Sequence, residues 1–110
     1  MPELNIEHWN TEIDGPLSEE NMTKKINSQG YSCAKYTFPS GAAFPEHTHD
    51  VPKKDAILAG QLKFATSEKE VILQAGDVLD IPAGLVHSES VFGSDAVIFL
   101  DATKMSPDNL

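Results

Sequence analysis

The chain has 110 residues, the length of one domain, and 40% of them are hydrophobic, as in globular proteins. Its 17 acidic residues outnumber the 8 lysine and arginine residues and give a formal net charge of −9. Such a charge repels nucleic acids and anionic lipids, so we expect neither nucleic acid nor membrane as a partner.

The first thirty residues predict an N-terminal arm and one short helix. Ile6, His8 and Trp9 fit either a short edge strand or an arm. After a turn signal, Ser18 is a typical helix N-cap, and the two glutamates that follow it suit the helix dipole. We therefore expect a helix over residues 19–27.

From Tyr31 onward the pattern changes to short strands separated by turn residues. The expected strands are Tyr31–Phe38, Phe44–His49, Ala56–Ala65 with a tight hairpin turn at Gly60-Gln61, Val71–Leu73, Val78–Ile81, Val86–Phe92 and Ala96–Leu100. Strands of this length at short, regular spacing predict an all-β sandwich or barrel. We place the barrel at residues 31–103 and expect residues 104–110 to form a loose tail.

Three of the four histidines lie close to turn residues in two short segments. His47 and His49 are two residues apart, so a strand would project both side chains from one face. His87 follows a turn and can reach that face from a neighbouring strand. Neutral imidazole is the commonest transition-metal ligand, and three imidazoles on one face leave open metal positions. A pair of this spacing also occurs among solvated strand residues, so the prediction depends on the joint pattern.

The two segments together resemble the two signature motifs of the cupin superfamily. The first motif is matched by Gly41, His47, His49 and Gly60, and the second by Gly76, Pro82, Gly84 and His87. The resemblance covers about residues 35–101. It implies an all-β fold, the double-stranded β-helix or jelly-roll barrel, here with a short N-terminal helix. It also implies a divalent metal ion held by His47, His49 and His87, with Fe(II) favoured and Zn, Ni or Mn as alternatives.

Two positions depart from the cupin motifs. Lys53 occupies the usual position of the glutamate ligand, and Val91 occupies that of a frequent asparagine. Three neutral imidazole ligands would not neutralise the charge of a divalent metal ion, and this favours an anionic or bidentate substrate. Lys53 is then expected to be a solvated surface lysine, although it can instead pair with Asp50 or Asp55 or bind a substrate carboxylate. Asp55 is a weaker candidate for a substitute ligand or a substrate contact.

The remaining polar residues near the motifs are not expected to form the site. We expect Glu46 and Glu89 to point outward and His8 to be a surface or arm residue. The sequence singles out no catalytic residue.

The residues and the cupin resemblance are compatible with three functions. The first is an Fe(II)-dependent, dioxygenase-type oxidoreductase that acts on a small anionic substrate. The second is a non-catalytic cupin that binds a sugar or an effector. The third is a sugar isomerase or epimerase, for which Lys53, Lys54 and Lys63 are the few cations near the motifs that could bind a phosphate.

The cysteine content, the first residues and one apolar run bear on location and assembly. Cys33 is the only cysteine, which excludes an intrachain disulfide and fits a reducing compartment. The first residues show no signal-peptide pattern, so we expect a cytoplasmic protein. The apolar run Val97–Leu100 exceeds what one sheet face is expected to hide, so we expect a homodimer.

Overall fold

The computed structural model describes residues 4–106, which form two antiparallel β-sheets and two helices near the N-terminus. The helices are α1 (Thr11–Asp14) and α2 (Glu19–Ser28). The strands are β1 (Asn5–His8), β2 (Tyr31–Phe38), β3 (Ala43–His47), β4 (Lys53–Ala59), β5 (Gln61–Ala65), β6 (Glu70–Gln74), β7 (Asp77–Ile81), β8 (His87–Phe92) and β9 (Val97–Lys104). The predicted fold class, an all-β double-stranded β-helix with a short N-terminal helix, is confirmed.

The two sheets face each other across the main hydrophobic core. The larger sheet has the strand order β1-β7-β4-β9-β2, and the smaller sheet has the order β3-β8-β5-β6. Apolar side chains from both sheets fill the space between them: Ile57, Leu62, Phe64, Leu73, Leu79, Ile81, Val97 and Phe99. Of the two alternatives for the N-terminal segment, the edge strand is correct, because β1 pairs with β7.

Helix α2 covers the outer face of the larger sheet. The Ser18 side chain accepts a hydrogen bond from the backbone N–H of Asn21, as expected of an N-cap. Met22 and Ile26, four residues apart on one helix face, are fully buried in a cluster that includes Leu100. Leu100 is thus covered by α2, Val97 and Phe99 are buried between the sheets, and Ile98 is half-buried, so the run Val97–Leu100 gives no support to a homodimer.

The predicted hairpin at Gly60 is wrong. Strand β4 belongs to the larger sheet and β5 to the smaller one, so the chain crosses between the sheets at Gly60. A Cβ atom at this position would lie 2.3 Å from the carbonyl oxygen of Ala96, and the φ angle is +79°. Glycine is needed here because the backbone turns a corner against another backbone segment, which a local sequence pattern does not distinguish from a hairpin.

The ends of the chain differ in detail from the prediction. The short helix α1 was not expected; the Asn10 side chain caps it. Lys25 of α2 binds Glu7 and Asp14, which ties the N-terminal segment to the helix. Strand β9 continues to Lys104, one residue past the expected barrel boundary, and residues 107–110 of the expected tail lie outside the described residues. No helix within residues 4–106 has the length and apolar character needed to span a membrane.

Candidate metal centre

Three histidines converge on the inner side of the smaller sheet. His47 ends β3 and pairs in register with His87 at the start of β8. His49 lies in the loop that follows β3, and its carbonyl oxygen accepts a hydrogen bond from the backbone N–H of Gly84, which joins the two motif segments. One ligand atom from each imidazole lies within 4.8 Å of the others. The structure thus brings together the three residues predicted as metal ligands.

Hydrogen bonds orient two of the imidazoles. Nδ1 of His47 lies 2.8 Å from the carbonyl oxygen of Pro45, and Nδ1 of His87 lies 2.9 Å from that of Leu85. A carbonyl oxygen only accepts, so each Nδ1 donates and each Nε2 of a neutral ring keeps its lone pair. Carbonyl partners of this kind are typical of metal-binding histidines.

His87 is the most enclosed of the three. Its side chain is fully buried, and Nε2 has no hydrogen-bond partner. The ring stacks on Phe64, with centroids 4.8 Å apart and an interplanar angle of 18°. A buried nitrogen lone pair without a donor is costly, and a cation in front of it would remove that cost.

The donor set and its spacing fit a divalent transition metal. Metal–imidazole bonds are about 2.0–2.1 Å long, so two nitrogens on one ion lie at most about 4.2 Å apart. In the structure the three ligand atoms lie within 4.8 Å of one another, which is close to this value. Burial, followed by the charges of Lys53 and the other two imidazoles, lowers the pKa of His49. The lowered pKa favours the neutral ring, which is the form that binds a metal.

Glu89 also faces the histidines, so the expectation that it points outward is wrong. Its Oε1 atom lies 3.9 Å from Nε2 of both His47 and His87, and the side chain is only 12% exposed. Glu89 is two residues after His87 in β8, and alternate residues of a strand share a face. That spacing was the signal in the sequence that could have identified it. Glu46, in contrast, is exposed as expected.

Asp55 lies beside Glu89 inside the barrel. Its side chain is buried, and Oδ2 has no hydrogen-bond partner. Burial, a hydrogen bond to Glu89 and the nearby charges of Glu89 and Asp101 raise the pKa of Asp55 well above the ordinary range. The Asp55 carboxyl is therefore protonated more readily than an ordinary aspartate, and it faces the same cavity as His47 and His49.

Lys53 is not the solvated surface lysine that we expected. Its Nζ atom lies 2.8 Å from Oδ1 of Asp101, and the two side chains are 14% and 29% exposed. The partner is neither Asp50 nor Asp55 but a residue of β9, the strand that pairs with β4. The sequence did not indicate Asp101, since strand order determines which residues meet across a sheet.

A cavity of about 430 Å³ leads from the surface to these residues. Its apolar part contains four aromatic rings together with two aliphatic side chains: Tyr36, Phe38, Phe44, Phe99, Pro45 and Ile81. Its polar part contains His47, His49, Lys53, Asp55, Glu89 and Asp101. The volume and the mixed lining are typical of pockets for small molecules. His8 lies away from this site, on β1, where it pairs with Asp77.

Comparison with known proteins supports the fold assignment. A family model described as "Cupin domain" matches residues 34–103. No curated protein sequence matches significantly. A cupin-2 domain protein from Shewanella frigidimarina is 21% identical over 69% of this chain and 72% of its own, with a TM-score of 0.60. A cupin superfamily protein from Desulfitobacterium hafniense is 16% identical over 94% and 79%, with a TM-score of 0.61. The DMSP lyase DddQ from Ruegeria pomeroyi is 21% identical over 72% and 40%, with a TM-score of 0.62.

Proposed function

The chain belongs to the cupin family, and from that premise we propose that it is a divalent-metal enzyme that acts on a small anionic substrate. The observation that carries the proposal is the convergence of three imidazoles beside an aromatic cavity that also contains an ammonium group. His47, His49 and His87 would hold the metal. When bound, the metal would supply Lewis-acid and redox chemistry, with Fe(II) as the ion that we favour and a dioxygenase-type oxidation as the reaction.

The residues around the cavity support an anionic substrate with an apolar body. Lys53 is the one lysine that lines the cavity among the described residues, and it is already held in place by Asp101. Its ammonium group can attract a substrate carboxylate, while the aromatic rings accept apolar atoms and exclude water. The cavity volume of about 430 Å³ suits a molecule of this size.

A non-redox isomerisation is the second candidate, and one observation favours it. Asp55 and Glu89 form a buried pair of carboxyl groups beside the histidines, and such a pair can hold and exchange one proton. Binding of a phosphorylated sugar is less well supported. Lys54 is buried against Gln29 and Asp80, outside the cavity, and Lys63 pairs with Glu70.

The test combines metal loading with control of oxygen. The purified protein is loaded separately with Fe(II), Zn(II), Ni(II) and Mn(II), and each form is incubated with a panel of small carboxylates and sugars. Oxygen consumption that requires both Fe(II) and a substrate would support the dioxygenase reaction. Turnover without oxygen would favour the isomerase, and ligand binding that survives metal removal without turnover would favour a binding module. Failure of every metal to bind would contradict the metal-enzyme proposal.

Assembly and location also remain proposals. A homodimer would use the outer edge of β2, because within residues 4–106 this eight-residue strand pairs only with β9. Tyr36 on this strand is 47% exposed. Light scattering after size-exclusion chromatography would reveal the mass of the assembly.

A cytoplasmic location rests on the single free thiol of Cys33.

A further inference from the structure

We propose that Glu89 supplies the carboxylate ligand of the metal centre, in place of the motif glutamate that Lys53 replaces. This inference rests on the proposed function, because it concerns the same metal site. Lys53 is a cation held by Asp101 and does not serve as a ligand. The carboxylate would then come from β8, the strand of His87, instead of β4.

The position of Glu89 is the first argument. Its Oε1 atom is equally distant, at 3.9 Å, from Nε2 of His47 and of His87, so it lies in front of the two nitrogens that keep their lone pairs. Strand β8 is an inner strand, and Glu89 pairs with Phe44 on one side and Phe64 on the other. The backbone that carries this carboxylate is thus held on both sides.

The second argument is that two buried atoms at the site have no hydrogen-bond partner. Oε2 of Glu89 and Nε2 of His87 are both buried without a hydrogen-bond partner. The nearby ammonium group of Lys53 is paired with Asp101. A buried polar atom without a partner is unfavourable, and a divalent cation between the Glu89 carboxyl group and the imidazoles would offset that cost.

The test compares Glu89→Gln with a matched control, Glu46→Gln. Both substitutions remove one glutamate charge within two residues of a histidine, but Glu46 is exposed. Co(II) is the probe, since its visible absorption reports the ligand set; affinity is measured by competition with a chelator. We expect Glu89→Gln to weaken Co(II) binding by about ten-fold to a hundred-fold and to change the spectrum. Glu46→Gln should match the wild type.

The other outcomes separate this inference from the proposed function. Wild-type affinity and spectrum in Glu89→Gln, with binding lost in His47→Ala, would overturn the role of Glu89 and leave the histidine site intact. Weaker binding with an unchanged spectrum would place Glu89 outside the coordination sphere and would also overturn it. No binding by the wild type would end both proposals. If Glu89→Gln does not fold, Glu89→Asp is used in its place. A shortened carboxylate ligand must change the Co(II) spectrum, so an unchanged spectrum would overturn the inference.

Discussion

Replacement of Lys53 by methionine is expected to destabilise the metal-free protein and to strengthen its binding of a divalent cation. Methionine keeps most of the length of the side chain but removes the ammonium group, so Asp101 loses its partner at 2.8 Å. The same change removes a positive charge from the cavity that His47 and His49 line. The free energy of unfolding and the metal affinity should therefore change in opposite directions, while affinity for an anionic ligand should fall.

The size of the stability loss follows from the exposure of the pair. Fully exposed ion pairs contribute about 0–1 kcal/mol, and loss of one partner from a fully buried pair costs about 3–5 kcal/mol. The side chains of Lys53 and Asp101 are 14% and 29% exposed, which places the pair between these cases. We expect the free energy of unfolding to fall by about 1–3 kcal/mol in Lys53→Met. For a domain of this size in urea, that corresponds to a shift of about 1 M in the unfolding midpoint.

A double-mutant cycle distinguishes this interaction from other effects of the substitution. Urea unfolding of the metal-free wild type, Lys53→Met, Asp101→Asn and the double variant gives the coupling energy of the pair. Calorimetric titration of the same four proteins with Zn(II) gives the effect on metal binding. A coupling energy near zero would refute the reasoning, because it would mean that Lys53 is not held by Asp101. Unchanged Zn(II) affinity in Lys53→Met would show that its charge does not act on the metal site.

Three further predictions concern the fold that supports the site. Burial is the main cause that raises the pKa of Asp55, so the folded metal-free chain binds more protons than the unfolded chain, and its stability should fall as the pH rises through that raised pKa. In urea unfolding across a pH series, the free energy of unfolding should fall less steeply with pH for Asp55→Asn than for the wild type. Parallel curves for the two proteins would contradict this reasoning. Gly60→Ala should lower the unfolding temperature far more than Gly84→Ala, because both residues have positive φ but only at Gly60 would a Cβ atom meet a backbone oxygen at 2.3 Å. Equal unfolding temperatures would show that the chain relieves the clash. Phe64→Leu should cost about 1–2 kcal/mol in urea unfolding and weaken Zn(II) binding several-fold, because the ring stacks on His87. Wild-type Zn(II) affinity would show that the ring does not orient the imidazole.

Local pattern predicted the parts of the fold that depend on local geometry. Strand β2 has the predicted bounds, Tyr31–Phe38, and α2 begins after its predicted cap, Ser18. Both depend on short-range features, namely strand alternation between turns and a side-chain cap. The turn at Gly60 was predicted as a turn but assigned to the wrong structure. Whether two strands joined by a turn pair with each other or belong to different sheets depends on the closure of the whole barrel.

The same limit explains which parts of the site were missed. The strand on which the pairing of His47 and His49 was predicted ends at His47, and His49 lies in the loop after it. Applied to His87, the i, i+2 rule places Glu89 on the inner face of β8, so that residue was within reach of the sequence. The rule acts within one strand only. Lys53 and Asp101 meet because β9 pairs with β4, and neither motif contains that information. Considered alone, Lys53 indicates only that the glutamate ligand of the motif is missing. In the fold it is neutralised by a residue from β9, while β8 brings a carboxylate to the histidines. A substitution at one motif position must therefore be judged together with the charges on all strands that line the cavity.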